Sequence, residues 1–345
     1  MPQYQPFDLN EDRIIETTKV TAGYFSDGAG TLEGTNMVTA SLTASQDKYY
    51  VNIQKDGGTK DEFSITFGSK SGLGSPDVVG HTKAVYQYYA DLLLFPEDIE
   101  TNGFQFDGST TQDSIWIIAA ERANMKDRWN KKNWTLTLGG GGGAGGTVDT
   151  TIKLTDDSDV VTNTPTPVGE RYNIVSGTLG SVHTPATSKT YGWFYPNFGI
   201  LVLNGAELSA SLPGEAANNG SLTINDEGIG FGVNTATDGT AFNHLKLANA
   251  VQSGSLVARS EEDQITTSYF IRARAAHWNF STNPTFITGS DATFSNVDFT
   301  GNPQTWITTI GLYDTEDRLV AMGRLTTPVL KNASSELMAK VKLVH

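Results

Sequence analysis

The sequence predicts a mainly β protein, built of antiparallel, sandwich-like sheets with one or two short helices and divided into one domain or two. Three observations predict it. Short stretches throughout the chain alternate apolar and polar residues with a period of two, as a half-buried strand requires. The 36 glycines sit largely among Ser, Thr, Asn and Asp between those stretches, which is turn chemistry. Only 18% of the 345 residues are charged while 10% are aromatic, a balance foreign to disordered chains and to solvated helical ones.

Residues 6–26 (PFDLNEDRIIETTKVTAGYFS) mix apolar and charged side chains without a clear period. Together with the start of the chain, residues 1–30 read as an arm or edge strand that docks on something else. Tyr50–Gln54 and Glu62–Phe67 alternate, and Lys55-Asp56-Gly57-Gly58-Thr59 between them supplies the turn of a hairpin. Over 82–94, Val85, Tyr88, Tyr89 and Leu92 recur at helical spacing, with Thr82 as a cap and Pro96 as a stop. Ser114–Ala119 (SIWIIA) is an apolar run suited to a buried strand, and a helical turn is expected near Arg122–Trp129. Trp134, Leu136 and Leu138, then Val148, Ile152 and Leu154, keep a period of two on either side of the glycine run at 139–146, which predicts a long hairpin with a Gly-rich tip.

The Pro/Thr/Asn stretch Thr162–Val168 (TNTPTPV) marks the expected boundary between an N-terminal β-rich domain, 31–165, and a C-terminal one, 166–345. Beyond it, Tyr191–Gly205 reads as a strand or strand pair with an aromatic front, and 213–242 as a polar connection. Tyr269, Ile271 and Ala273 alternate with Phe270, Arg272 and Arg274. Trp306–Tyr313 and Leu319–Leu325 flank the acidic turn Asp314-Thr315-Glu316-Asp317 as a hairpin, and Leu337–Leu343 alternates as a last strand.

Charge and composition narrow the function. A net charge of −14, with no basic cluster longer than Lys131-Lys132, argues against nucleic-acid binding, which needs a basic footprint. With no cysteine, disulfides and thiolate metal sites are excluded. The N-terminal stretch has neither the basic nor the apolar region of a signal peptide, and no apolar run approaches a membrane span, so membrane insertion is not expected.

The sequence carries no recognisable catalytic, cofactor or metal motif. His81, His183, His244, His277 and His345 lie far apart in sequence and form no metal-ligand spacing. Gly140, Gly142 and Gly145 match a dinucleotide loop only trivially, because strand periodicity follows where a helix N-terminus is needed. The cluster Asp156/Asp157/Asp159 lacks the pattern of a calcium loop and reads as a solvated acidic turn. No catalytic, cofactor-binding or metal residue is therefore assigned, and no cofactor is expected. The candidates for protein-interface or glycan contact are the aromatics Trp193, Tyr195, Phe198 and Trp278 and the strand arginines Arg272 and Arg274, with packing in a core as the ordinary alternative for the first cluster.

Three stretches, YGWFYPNFGILVLNG (191–205), RSEEDQITTSYFIRARAAHWNFSTNPTFITGS (259–290) and GNPQTWITTIGLYDTEDRLVAMGRLTTPVLKN (301–332), resemble a family of virion structural proteins of contractile-tailed phages, chiefly those of marine cyanobacteria. The opening at 6–26 and the segment DLLLFPED (91–98) resemble that family too, and the most specific element is Asn302–Tyr313. The chain departs from the family pattern at its end, where Val344-His345 stands in place of an acidic residue and an aromatic. The resemblance implies a non-enzymatic structural subunit of the tail or baseplate. Such a subunit is synthesised in the host cytoplasm, resides in the virion, and is held by permanent contacts to other tail or baseplate proteins in symmetry-related copies. A receptor- or glycan-binding, fibre-attaching module is the second expectation, and a tail-associated glycan hydrolase using a carboxylate pair the third.

Overall fold

The computed structural model describes residues 6–40, 50–74, 80–101, 103–140, 150–183, 189–211, 241–289, 291 and 293–344. The protein is mainly β, with antiparallel sheets throughout. It divides into two compact units, Lys19–Glu262 and Met1–Thr18 with Asp263–His345.

A 13-stranded sheet dominates the larger unit. Its order runs Thr31–Glu33, Ser255–Val257, Thr135–Gly140, Thr150–Asp156, Gly169–Thr178, Gly192–Tyr195, Ile200–Asn204, Ser114–Ala120, Asp61–Ser69, Tyr50–Lys55 and Met37–Thr39. Neighbours pair antiparallel along the whole path.

The middle of this sheet is covered on both faces, which is why its strands are continuously apolar. Along Ser114–Ala120, Trp116 and Ile118 point into one core with Phe67, Trp129, Trp134 and Phe194. Ile115 and Ile117 point into a second, with Trp193, Tyr195, Ile200 and Val202. The period of two therefore sorts one apolar run into two cores.

The helix His81–Leu93 covers the second core, and a short helix, Pro96–Thr101, follows it with proline in its first turn. The helix buries Tyr86, Ala90 and Leu93, while Tyr88 is exposed, so its buried stripe is rotated by one residue from the expected Val85, Tyr88, Tyr89 and Leu92. The Tyr86 hydroxyl fixes this rotation: it donates to Gln112 O at 3.0 Å and accepts from Phe104 N at 3.1 Å. Thr82 lies inside the helix and donates to Leu73 O at 2.9 Å rather than capping it.

A further helix, Asn243–Gln252, sits on the first core through Leu247, Ala248, Ala250 and Val251. Both hairpins expected in the N-terminal half are present, with Asn52 opposite Ser64 and Gly140 opposite Thr150. Residues 141–149 of the glycine tip and most of the polar stretch 213–242 lie outside the described residues. The expected turn near Arg122 is followed by Arg128–Trp129, which pairs with Ser260–Glu261 as a strand.

The expected boundary at Thr162–Val168 falls inside the large sheet. Thr164–Thr166 folds back on Gly169–Arg171, and Gly169–Thr178 pairs in turn with Thr150–Asp156, so the ladder continues across it. The Pro/Thr composition marks a short edge strand, where a missing N–H on the open side costs nothing.

The smaller unit is built differently. Arg259–Ala273 is the middle strand of a sheet whose outer strands are Arg13–Gly23 and Leu337–Val344. Thr305–Tyr313 and Leu319–Lys331 form the expected hairpin, closed by the acidic turn. There Asp314 accepts from Arg318 N, from the Arg318 guanidinium at 2.7 Å and from Glu316 N, and these bonds hold its carboxyl below the usual carboxylate range. In the chain between Ala273 and Thr305, Phe286 packs against Phe280, Phe294 and Phe299 in a small aromatic cluster of its own.

Candidate assembly surface

The six residues singled out as contact candidates separate into core and surface. Trp193 and Tyr195 lie in the second core and are 6% and 0% exposed, which corrects their reading as contact residues. They occupy alternate positions of a strand whose face is covered by the helix and by Phe104 and Phe106. The Arg171 guanidinium lies 3.9 Å from the Trp193 ring centre. Burial pushes the Tyr195 phenol up, and the charge of Arg171 pulls it back in part. Phe198, by contrast, is exposed on the turn between the two strands of that hairpin.

Arg272, Arg274 and Trp278 belong to the smaller unit, and all three are exposed. Cross-strand register explains the arginines. Arg272 pairs with Met338, Phe270 with Lys340 and Ser268 with Lys342. One sheet face therefore presents Arg274, Arg272, Met338, Lys340 and Lys342, with the Lys340 ammonium 5.6 Å from the Phe270 ring centre. The alternate residues Ile271, Ala273, Ala339 and Val341 turn inward, and Gly323 of the hairpin approaches Val341.

Trp278 stands on a loop with left-handed backbone, φ 62°. Lys331 fixes the base of that loop: its buried ammonium donates to Ala275 O at 2.9 Å, Asn279 Oδ1 at 2.7 Å and Asn332 O at 2.8 Å. All three ammonium protons are used, which lets a lysine be buried without an acid.

What distinguishes this unit is how little of it is buried. Its buried apolar side chains, among the described residues, are Ala273, Phe286, Leu312 and Ala339. Trp306, Val320, Met322 and Met338 are all at least 60% exposed. The strand Arg13–Gly23 is exposed at every position from 14 to 22, so neither of its faces is covered. Two-stranded hairpins and bare edge strands are marginal in water alone. Sequence pattern could not reveal this, because alternation marks which residues share a face and not whether that face is covered.

The cluster Asp156/Asp157/Asp159, expected as a solvated acidic turn, is largely buried: Asp156 and Asp157 are 0% and 4% exposed, and donors from neighbouring segments hold them. Asp156 accepts from Lys132 N at 3.0 Å, Asp157 from Asn173 N at 3.0 Å and Nδ2 at 2.8 Å, and Asp159 pairs with Lys132 Nζ at 2.8 Å. Among the described residues, no three His, Asp or Glu side chains converge as a metal site would require.

Glu261 is held by two cations and an amide. It accepts from Arg128 Nε at 2.6 Å, Lys19 Nζ at 3.0 Å and Asn130 Nδ2 at 3.0 Å. Burial raises its pKa, but the bonds and charges of Arg128 and Lys19 outweigh that and hold it below the usual glutamate value. A carboxyl lowered on folding stabilises fully above its unfolded value, about 4.3, and loses that stability as pH falls through the folded value. Glu261→Gln is therefore expected to reduce stability at pH 7 and to flatten the acid limb of the stability curve. Thermal unfolding of both proteins between pH 7 and 3 checks this, and parallel curves would refute it.

Compared with protein-family models, with curated proteins and with solved structures, the chain gives no match.

Proposed function

We propose that the protein is a structural subunit of a tailed-phage virion, placed in the tail or baseplate and acting through permanent protein contacts. The observation that carries the assembly part of this reading is the smaller unit, with long strands, bare edges and large exposed apolar side chains but few buried ones. A partner that covers those faces removes the liability they pose to a free chain. The virion part rests on the resemblance of 191–205, 259–290 and 301–332 to tail structural proteins. The acidic composition agrees with a subunit that stays soluble until a specific partner docks.

The expected result is that purified particles contain the chain in stoichiometric amount, recovered with tail or baseplate proteins when the particle is dissociated. Its absence from purified particles would remove the reading. A second reading, glycan contact or fibre attachment, is favoured by Trp278, an exposed indole on a fixed loop. It predicts retention on host envelope sugars that Trp278→Ala abolishes without loss of fold.

A further inference from the structure

One face of the sheet in the smaller unit carries four cations in a row. Register sets them out: Arg272 stands opposite Met338, Phe270 opposite Lys340 and Ser268 opposite Lys342, and Arg274 follows the end of the middle strand. The row therefore steps from Arg274 and Arg272 to Lys340 and Lys342 on the neighbouring strand, with about 7 Å between successive cations of one strand. All four are exposed, and none forms an ion pair or hydrogen bond among the described residues. Elsewhere cations are matched: Lys55 pairs with Asp27, Lys131 with Glu170, Lys132 with Asp159 and Arg318 with Asp314. The carboxylates around the row do not answer it. Asp12, whose backbone O accepts from Phe270 N at 2.8 Å, holds Asp8 N on its carboxylate at 3.1 Å. Glu336 accepts from Ala275 N at 3.4 Å and Glu16 is exposed, and neither forms an ion pair among the described residues.

Like charges side by side repel, and the chain has 38 acidic residues against 24 basic ones, yet none of them neutralises this face. Lysines on an outer strand also discourage stray edge pairing, but Arg272 lies on the middle strand, where no edge needs guarding. We propose that this face docks an acidic, extended segment of another protein, with carboxylates at every second residue to match the spacing of the row. Charge complementarity selects the partner's chemistry. Met338, 60% exposed and set among the cations, adds an apolar contact of the kind protein interfaces favour. A nucleic acid suits the same cations less well. The net charge of −14 repels a long polyanion, and the Phe270 ring of this face carries the Lys340 ammonium at 5.6 Å instead of lying open to a base. The inference rests on the assembly reading and names the chemistry of one partner.

The test titrates the full chain, by fluorescence anisotropy, into a labelled short peptide of alternating Glu and Thr, its Gln-Thr counterpart, and an oligothymidylate of equal charge. The acidic peptide is expected to bind, more weakly as salt rises, and the other two at least about tenfold more weakly than it does. Lys340→Gln with Lys342→Gln, and Arg272→Gln with Arg274→Gln, are each expected to weaken binding of the acidic peptide by a similar factor. Circular dichroism establishes that both variants are folded. In purified particles, a zero-length carbodiimide cross-linker is expected to join Lys340 or Lys342 to a carboxylate of another protein. Equal binding of the two peptides, tighter binding of the oligonucleotide, folded variants that bind as the wild type does, or particle cross-links confined to this chain's own carboxylates would overturn the proposal. The two readings fail separately. A chain that ignores the acidic peptide yet is present in particles sinks this inference only, and one that binds it but is missing from particles sinks the virion role only.

Discussion

Trp193→Ala is expected to destabilise the protein by about 3–5 kcal/mol, the usual cost of truncating a buried large aromatic. The indole is 6% exposed and makes edge contacts with Phe106 at 4.8 Å between ring centres and with Phe104 at 6.0 Å. Its other face carries the Arg171 guanidinium, whose stacking adds to the loss. The cavity cannot collapse easily, because the neighbouring strand residues Tyr195 and Val202 are fixed by the ladder on both sides. Urea unfolding measures the cost, and Trp278→Ala serves as the contrast, expected to lie within about 0.5 kcal/mol as a surface change. A Trp193→Ala protein as stable as wild type that had lost retention on a sugar would reverse the assignment and make Trp193 a contact residue.

Trp193 also shows what the sequence reveals and where it stops. The run YGWFYPNFGILVLNG announces a strand or a strand pair, because Pro196-Asn197 interrupts an apolar stretch, and in the fold Gly199 completes the turn with positive φ. It cannot say that both faces of the hairpin are buried, because a continuous apolar run is silent about which residues meet solvent. The helix at 81–93 was legible from its spacing and its proline stop, yet its rotation was not. That depends on the bonds of Tyr86 with Gln112 and Phe104, some 20 residues further on. The Pro/Thr stretch at 162–168 misled for a related reason: edge strands and linkers share a composition, and only pairing separates them. The division into two compact units, at Thr18/Lys19 and Glu262/Asp263, lies within two regular strands and leaves no mark in local composition. The C-terminal hairpin and the final strand were legible from alternation and the Asp314–Asp317 turn, which act over neighbouring residues, although the hairpin's second strand runs past the expected Leu325 to Lys331. That their faces stay largely uncovered is a property of the tertiary arrangement, and it is what directs attention to a partner.

The second large effect is expected at Glu62, which is fully buried although no cation pairs with it among the described residues. Its carboxylate is held by Ser26 N at 2.9 Å, Ser26 Oγ at 2.5 Å and Asn124 Nδ2 at 2.9 Å. These bonds tie the loop after Gly23 to the turn at 121–124. Tyr24 repeats the tie, donating to Glu62 O and accepting from Glu121 N at 2.7 Å, and it stacks on Trp129 at 5.4 Å. The chain is thus clamped immediately after the strand Arg13–Gly23, whose own residues are bare on both faces. Glu62→Ala leaves three donors without their acceptor and a small void, at about 1 kcal/mol or more for each donor, so a loss near 3 kcal/mol is expected. Ser26 and Asn124 are only half-buried, and water reaching them keeps the cost from rising further. Glu62→Gln keeps the shape but turns an amide N–H₂ toward donors, so it should fall between the two. Urea unfolding at neutral pH orders the three proteins, and a Glu62→Ala variant within about 0.5 kcal/mol of wild type would mean that water replaces the carboxylate fully.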